Sequence, residues 1–145
     1  MTIEERQEEI VDEFSEIEDW FDRYAAIIDE GQNIALIDEK KKTPEHLIEG
    51  CQSSVWLDAE LKDGKVYYSA DVNTEIIKGI VSMLIGVLNG HTPDEILAAD
   101  LHFIDDIGLR ENLSSTRSNG LVAVMKQMRM YALALKAVGA GENPA

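Results

Sequence analysis

The stretch SVWLDAELKDGKVYYSADVNTEIIKGIVSMLIGVL, residues 54–88, decides the fold. Its first part alternates between apolar and polar side chains on either side of Asp63-Gly64, a pattern typical of an antiparallel hairpin with a tight turn. Asn73 or Thr74 is expected to cap a helix that runs to about Leu88. Because this helix is apolar on nearly every side, the stretch predicts a small sheet packed beside a buried central helix.

Helices are also predicted before this stretch. Thr2 and Glu5 form a capping-box pattern at the start of an N-terminal helix. Asp19 is expected to cap a second helix that stops at Gly31. The apolar spacing of this second helix predicts that five side chains point inward: Phe21, Tyr24, Ala25, Ile27 and Ile28.

The rest of the chain completes a mixed fold. Residues 46–48, HLI, are expected to add a short third strand. Thr92-Pro93 predicts the start of a short helix. Ser115 or Ser118 is expected to cap a final helix to about Ala137, followed by a flexible tail over about residues 139–145. The predicted fold class is α/β (α+β), a small antiparallel three-stranded sheet packed by helices in one domain, residues 1–145.

Composition and charge limit the classes of partner. The 145 residues are 45% hydrophobic and 28% charged, which is typical of a single globular domain. The formal net charge of -15 disfavours nucleic acid and anionic membrane surfaces as partners. The charge is uneven, because residues 110–138 carry five basic side chains and only one acidic side chain. The acidic N-terminus lacks an apolar leader, so we expect a cytoplasmic protein.

Cys51 is the only cysteine in the chain. A lone cysteine is often a small buried side chain in a protein core. Here, however, Gly50 precedes it and the polar residues Gln52 and Ser53 follow it, outside any apolar periodicity. Glycine permits unusual backbone angles and close approach of another surface. The pattern therefore predicts an accessible thiol in a loop at one end of the sheet.

Two other kinds of chemistry are less well supported by the sequence. Three histidines, of which His46 is nearest to Cys51, raise the possibility of a cysteine-dependent hydrolase. No local signature of such an enzyme accompanies them. A structural zinc ion or an iron–sulfur cluster requires several ligands at characteristic spacing, and one cysteine does not supply them. We therefore predict no bound metal.

Several motifs together resemble those of the SufE family of sulfur acceptors. They are EGCQSSVWL at 49–57, GQ at 31–32, IIKGI at 76–80, HTPDEI at 91–96 and LSSTRSNGL at 113–121. The resemblance runs from Trp20 to the last helix and implies a SufE/IscU-like fold. It further implies that Cys51 accepts persulfide sulfur from a pyridoxal-phosphate-dependent cysteine desulfurase (SufS-like) and stimulates that enzyme.

The resemblance also implies a destination and a second site residue. The sulfur passes to an iron–sulfur assembly scaffold (SufBCD-like), and the acceptor needs no cofactor of its own. Arg117 matches an arginine that the family places near its acceptor, where a cation favours a thiolate or persulfide anion. Gly50, Gln52 and Ser53 support the loop. The chain departs from the family at Asn73, which replaces an acid.

Two alternatives to the sulfur carrier stay open at this point. One is a binding regulator in which Cys51 is incidental, and the other is the cysteine-dependent hydrolase. A carrier needs a thiolate that reaches the outer sulfur of a partner's persulfide, so access governs its rate. Only the carrier gains a sulfur atom on Cys51.

Overall fold

The computed structural model describes residues 1–49 and 53–142. Within them, seven α-helices surround one two-stranded sheet. The elements follow in the order α1 (Ile3–Ser15), α2 (Trp20–Glu30), β1 (Val55–Lys62), β2 (Lys65–Val72), α3 (Glu75–Leu88), α4 (Pro93–Ala98), α5 (Phe103–Asp106), α6 (Leu109–Asn112) and α7 (Ser115–Glu142). Three short 3₁₀ turns lie between α2 and β1, at Gly31–Asn33, Glu39–Lys41 and Pro44–His46.

The predicted hairpin is confirmed. β1 and β2 pair antiparallel from Val55 opposite Val72 to Lys62 opposite Lys65. Asp63 and Gly64 form the turn with φ values of 52° and 77°. Positive φ at both central residues is the geometry that matches the twist of a two-residue hairpin, and it explains the Asp-Gly pair.

The predicted third strand is not confirmed, because the described residues contain a sheet of two strands. Residues 46–48 do reach the edge of β1, where Leu47 makes one isolated antiparallel bridge to Trp56. The segment before it, Pro44–His46, is a 3₁₀ turn, so there is no room for an extended ladder. The prediction of three strands was therefore wrong in number, although the segment lies where it was expected.

The central helix α3 forms the middle of the core. It is buried on most of its circumference, as predicted. α2 packs against it at Gly79, where an added Cβ would fall well inside van der Waals contact with the carbonyl oxygen of Ile27. The lack of a side chain at Gly79 thus allows the two helix backbones to approach closely.

The inward face of α2 was predicted only in part. Ile27 is fully buried and Tyr24 and Ile28 are partly buried, but Ala25 is exposed and Phe21 is 79% exposed. At 100° per residue, Phe21 and Ala25 lie about 120° and 160° around the helix from Ile27. Because α2 packs mainly against α3, the buried stripe on its surface is narrower than the apolar spacing of its sequence suggested.

The long helix α7 lies along β1 and α4. The hydroxyl of Tyr68 donates to the carbonyl oxygen of Met128 at 2.7 Å, and that of Tyr131 donates to Leu57 at 2.8 Å. Ser114 caps the helix, since its Oγ accepts from the N–H of Arg117 at 3.2 Å, so the prediction of Ser115 or Ser118 was wrong. The helix also continues to Glu142, beyond the predicted end at Ala137. No helix among the described residues has the length and apolar character needed to cross a membrane.

Candidate functional site

The candidate site is the segment between Ile48 and Ser54. Its predicted residues Gly50, Cys51 and Gln52 lie outside the described residues, so their predicted roles stay predictions. The structure does describe the two flanks of this segment, the helix end beside it and the third predicted loop residue, Ser53. The geometry of the site is therefore built from the flanks.

The upstream flank is fixed to the edge of β1. The N–H of Ile48 donates to the carbonyl oxygen of Val55 at 2.9 Å. The Ile48 side chain is buried in the core. Together these contacts hold the backbone at a point three residues before Cys51.

The downstream flank is fixed to the N-terminus of α3. The Ser53 and Thr74 hydroxyl oxygens are 2.5 Å apart. The N–H of Ser54 donates to Asn73 Oδ1 at 2.8 Å, while the N–H of Asn73 donates to the Ser54 carbonyl oxygen at 3.1 Å. Both ends of the Cys51 segment are thereby tied to the sheet and the central helix. This gives Ser53 a contact that fits its predicted role in loop support.

Thr74, one of the two residues predicted to cap this helix, is the N-cap residue of α3. Its side chain forms no capping hydrogen bond with the helix backbone. The hydroxyl instead faces Ser53. A threonine hydroxyl can accept from a nearby helix N–H, or it can hydrogen-bond to a hydroxyl from a distant part of the chain. Sequence alone could not show which of these two hydrogen bonds Thr74 forms.

A charged cluster that the sequence reasoning missed lies just before α3. Asp71 Oδ2 accepts from Lys42 Nζ at 2.8 Å, and its Oδ1 lies 3.6 Å from Lys78 Nζ. Partial burial raises the pKa of Asp71, but the Lys42 hydrogen bond, the N–H of Val72 and the two lysine charges outweigh it and lower the pKa. Lys42 Nζ also lies 4.9 Å from the ring centroid of Trp56. The signal available in the sequence was an acid near the end of the second predicted strand, just before the central helix.

Arg117 lies in the first turn of α7 with an exposed side chain. Among the described residues its guanidinium forms neither an ion pair nor a hydrogen bond. Its distance from Cys51 is not defined, because Cys51 lies outside the described range.

The position of Arg117 along the fold is nevertheless informative. β1 and α7 run in the same direction, because Tyr131 contacts Leu57 and Gly139 lies beside Leu61. The two contacts are four residues apart in β1, which span about 13 Å, and eight residues apart in α7, which span about 12 Å. The same distance therefore separates the contacts along both elements. Extending this register backward by the same distance places Ala123 level with Ser53, so Arg117 lies about 9 Å farther in the same direction, beyond the Ser53 end of the sheet.

The three histidines hydrogen-bond or pair elsewhere in the fold. His46 Nδ1 lies 3.2 Å from the Thr43 hydroxyl and its Nε2 lies 3.4 Å from Asp58 Oδ1. His91 lies 3.5 Å from Glu95, and His102 lies between Glu4 and Asp106. Within residues 1–49 and 53–142, no three His, Cys, Asp or Glu side chains are grouped so that they could hold a metal ion.

Comparison with known proteins places this site in a family. Residues 8–132 match the family model described as SufE, Fe-S metabolism associated domain. The chain belongs to the SufE family. The match includes the Cys51 segment, both of its anchors and Arg117.

Two curated relatives support the assignment. An uncharacterized SufE-like protein of Rhizobium etli is 35% identical over 127 residues, covering 84% of this chain and 86% of its own length. An uncharacterized SufE-like protein of Synechocystis is also 35% identical over 127 residues, with 88% and 80% covered. Membership in the SufE family implies a sulfur-transfer accessory protein of iron–sulfur metabolism rather than an enzyme of the usual kind.

A solved structure shares the fold of this SufE-family chain. It is the solution structure of a hypothetical protein from Thermus thermophilus, with a TM-score of 0.73 at 18% sequence identity. The similarity covers 89% of this chain and 94% of the other. The predicted mixed α/β fold is thus confirmed in outline.

Proposed function

We propose that this SufE-family protein accepts persulfide sulfur on Cys51 from a pyridoxal-phosphate-dependent cysteine desulfurase. It thereby stimulates the desulfurase and delivers the sulfur to an iron–sulfur cluster assembly scaffold. A cytoplasmic setting fits this role, since a reducing compartment keeps a lone thiol free. The desulfurase supplies the cofactor chemistry, and the acceptor supplies the thiol.

The transfer step is an exchange between a thiolate and a persulfide. The Cys51 thiolate attacks the outer sulfur of the persulfide on the desulfurase cysteine, and a new sulfur–sulfur bond forms at Cys51. The bond between the outer sulfur and the desulfurase cysteine breaks, and that cysteine leaves as a thiolate. The proton released from the Cys51 thiol passes to solvent or to the departing thiolate. No net oxidation or reduction occurs, because one sulfur–sulfur bond replaces another.

The observation that carries the proposal is the anchoring of both flanks of Cys51 in a chain that matches the SufE family. Ile48 is held by Val55, and Ser53 and Ser54 are held by Thr74 and Asn73. Fixed ends limit the positions that a short segment between them can reach. Fixed ends reduce the conformational entropy lost when the segment enters a partner's site.

Arg117 is proposed to stabilise the anionic forms of Cys51. A thiolate and a persulfide are both anions, and a nearby cation lowers the pKa of a thiol. Arg117 lies beyond the Ser53 end of the sheet and holds no partner among the described residues that would neutralise its charge. Gly50 and Gln52 are proposed to shape the segment on either side of the thiol.

The experiment is mass spectrometry of the protein after incubation with a cysteine desulfurase and cysteine. The parent should gain the mass of one sulfur atom on the peptide that contains Cys51. The Cys51→Ser variant should fold and bind the desulfurase, yet it should gain no sulfur and should not raise desulfurase turnover. Full stimulation by the serine variant would refute the acceptor role and leave a binding regulator in its place.

A further inference from the structure

A groove lies between α7 and the segment that leads to Cys51. One wall is formed by Leu47, Ile48 and Glu49, and the other by Lys126 and Met130. Its volume is about 470 Å³. We refer to it as the α7 groove. Glu49 stands two residues before Cys51, so the groove is directly continuous with the proposed sulfur-transfer segment.

Apolar side chains line the groove and continue along the outer face of α7. Leu47 is 40% exposed and Met130 is 53% exposed, and farther along the helix Leu133 is 59% exposed. They do not belong to the core, because α7 packs inward through a different set of buried side chains: Leu121, Val124, Met128 and Ala132. Exposed apolar side chains rimmed by polar residues are typical of a site of protein association.

The charge beside the groove differs from that of the rest of the protein. Residues 112–138 contain four basic side chains and no acidic one, in a chain of net charge -15. Two of the four have partners, since Arg129 donates to the Leu97 and Ala99 carbonyl oxygens and Lys136 pairs with Asp94. Among the described residues Lys126 forms no ion pair. The groove therefore places the apolar side chains of Leu47 and Met130 beside the cation of Lys126, and its other charged lining residues are Glu45 and Glu49.

We infer that the α7 groove docks the cysteine desulfurase, through an apolar side chain that enters between Leu47 and Met130 and a carboxylate that meets Lys126. This inference rests on the proposed function, because continuity with the Cys51 segment identifies the sulfur donor as the occupant. Methionine suits such a surface, since its flexible thioether adapts to the shape of a partner. The ion pair between Lys126 and that carboxylate fixes the orientation of the donor, while Glu45 and Glu49 repel a carboxylate placed elsewhere in the groove.

A second copy of this chain is a weaker candidate for the same groove. Phe21 is 79% exposed, and Asp19 and Asp22 lie beside it, so α2 offers an apolar side chain with carboxylates. A contact from α2 of one copy to α7 of the next would be head-to-tail, however, and such contacts grow into open chains unless the rotation closes. The donor enzyme is the better match.

The experiment measures the Kd between the full-length protein and the cysteine desulfurase for a matched set of variants. Met130→Glu removes the apolar contact and repels a carboxylate, so its Kd should rise at least about tenfold, as for a central interface residue. Met130→Lys should weaken binding less than Met130→Glu. Val138→Glu is the control, because Val138 is 50% exposed on the same helix but outside the groove. Its Kd should stay within about twofold of the parent value.

The outcomes separate this inference from the proposed function. If the parent binds and Met130→Glu binds equally well, the docking surface is wrong, while sulfur gain on Cys51 would still support the acceptor role. If the parent itself neither binds the desulfurase nor gains sulfur, both proposals fail. If Met130→Glu lowers the thermal midpoint, Lys126→Glu is tested in its place, because Lys126 is exposed. Its Kd for the desulfurase should rise by the same factor. Self-association of the parent that Phe21→Glu abolishes would assign the groove to a second copy and overturn the inference.

Discussion

Asn73 and Ser54 exchange two hydrogen bonds across the start of α3. The N–H of Ser54 donates to Asn73 Oδ1 at 2.8 Å, and the N–H of Asn73 donates to the Ser54 carbonyl oxygen at 3.1 Å. The resemblance to the SufE family implies an acid at the position of Asn73. Its amide oxygen serves as an acceptor, and a carboxylate could serve Ser54 in the same way. The departure therefore preserves the anchor of the Cys51 segment.

Substitution at Asn73 tests this anchor. Asn73→Ala removes the acceptor of the Ser54 N–H and should lower the free energy of unfolding by about 1 kcal/mol. Asn73→Asp keeps an acceptor oxygen and places a negative charge near the N-terminus of α3, so its stability should stay close to that of the parent. Urea denaturation of the three proteins provides the measurement. Equal losses for alanine and aspartate would show that the side-chain oxygen contributes nothing.

Arg117 is expected to affect sulfur transfer without affecting the fold. Its side chain is exposed and forms no ion pair or hydrogen bond within the described residues, so Arg117→Ala should shift the free energy of unfolding by less than about 0.5 kcal/mol. Desulfurase stimulation should nevertheless fall. Arg117→Lys should be intermediate, because it keeps the charge but loses the planar set of donors. Desulfurase turnover and thermal melts are measured for all three proteins. If Arg117→Ala stimulates the desulfurase as well as the parent does, Arg117 has no role in sulfur transfer.

The two glycines within α3 should respond in opposite ways to alanine. A Cβ at Gly79 would collide with the carbonyl oxygen of Ile27, so Gly79→Ala should force α2 and α3 apart and cost about 3 kcal/mol or more. At Gly86 an added Cβ meets nothing within 4 Å. Gly86→Ala should therefore stabilise the protein by up to about 1 kcal/mol through helix propensity. Chemical denaturation measures both, and a harmless Gly79→Ala would contradict the close helix contact.

His102 should make stability depend on pH. The hydrogen bond to Asp106, with a further contribution from Glu4, raises the pKa of His102 despite partial burial. Since the folded pKa exceeds the unfolded value, the stabilisation is complete below the unfolded pKa of about 6.5 and is lost as pH rises through the folded pKa. His102→Gln should thus be less stable than the parent at pH 6, by at most about 1 kcal/mol for a surface cluster. The difference should disappear at pH 9, and denaturation curves at the two pH values test this.

Local patterns accounted for most of the elements. The Asp63-Gly64 turn, the apolar run of α3 and the Thr92-Pro93 helix start all depend on residues close together in the chain. Thr92 and Glu95 complete a capping box at α4, as Thr2 and Glu5 do at α1. Such signals depend on backbone geometry over a few residues, and for that reason they were readable without a structure.

Long-range contacts decided what the patterns left open. The sequence by itself determined the hairpin, the central helix and the family motifs around Cys51. Only the tertiary structure decided that residues 46–48 make one bridge, that Phe21 faces outward and that the Thr74 hydroxyl faces Ser53. Each of these side chains or segments has several local options of similar free energy. The neighbour that arrives from a distant part of the chain selects among them, and no spacing rule within the sequence specifies that neighbour.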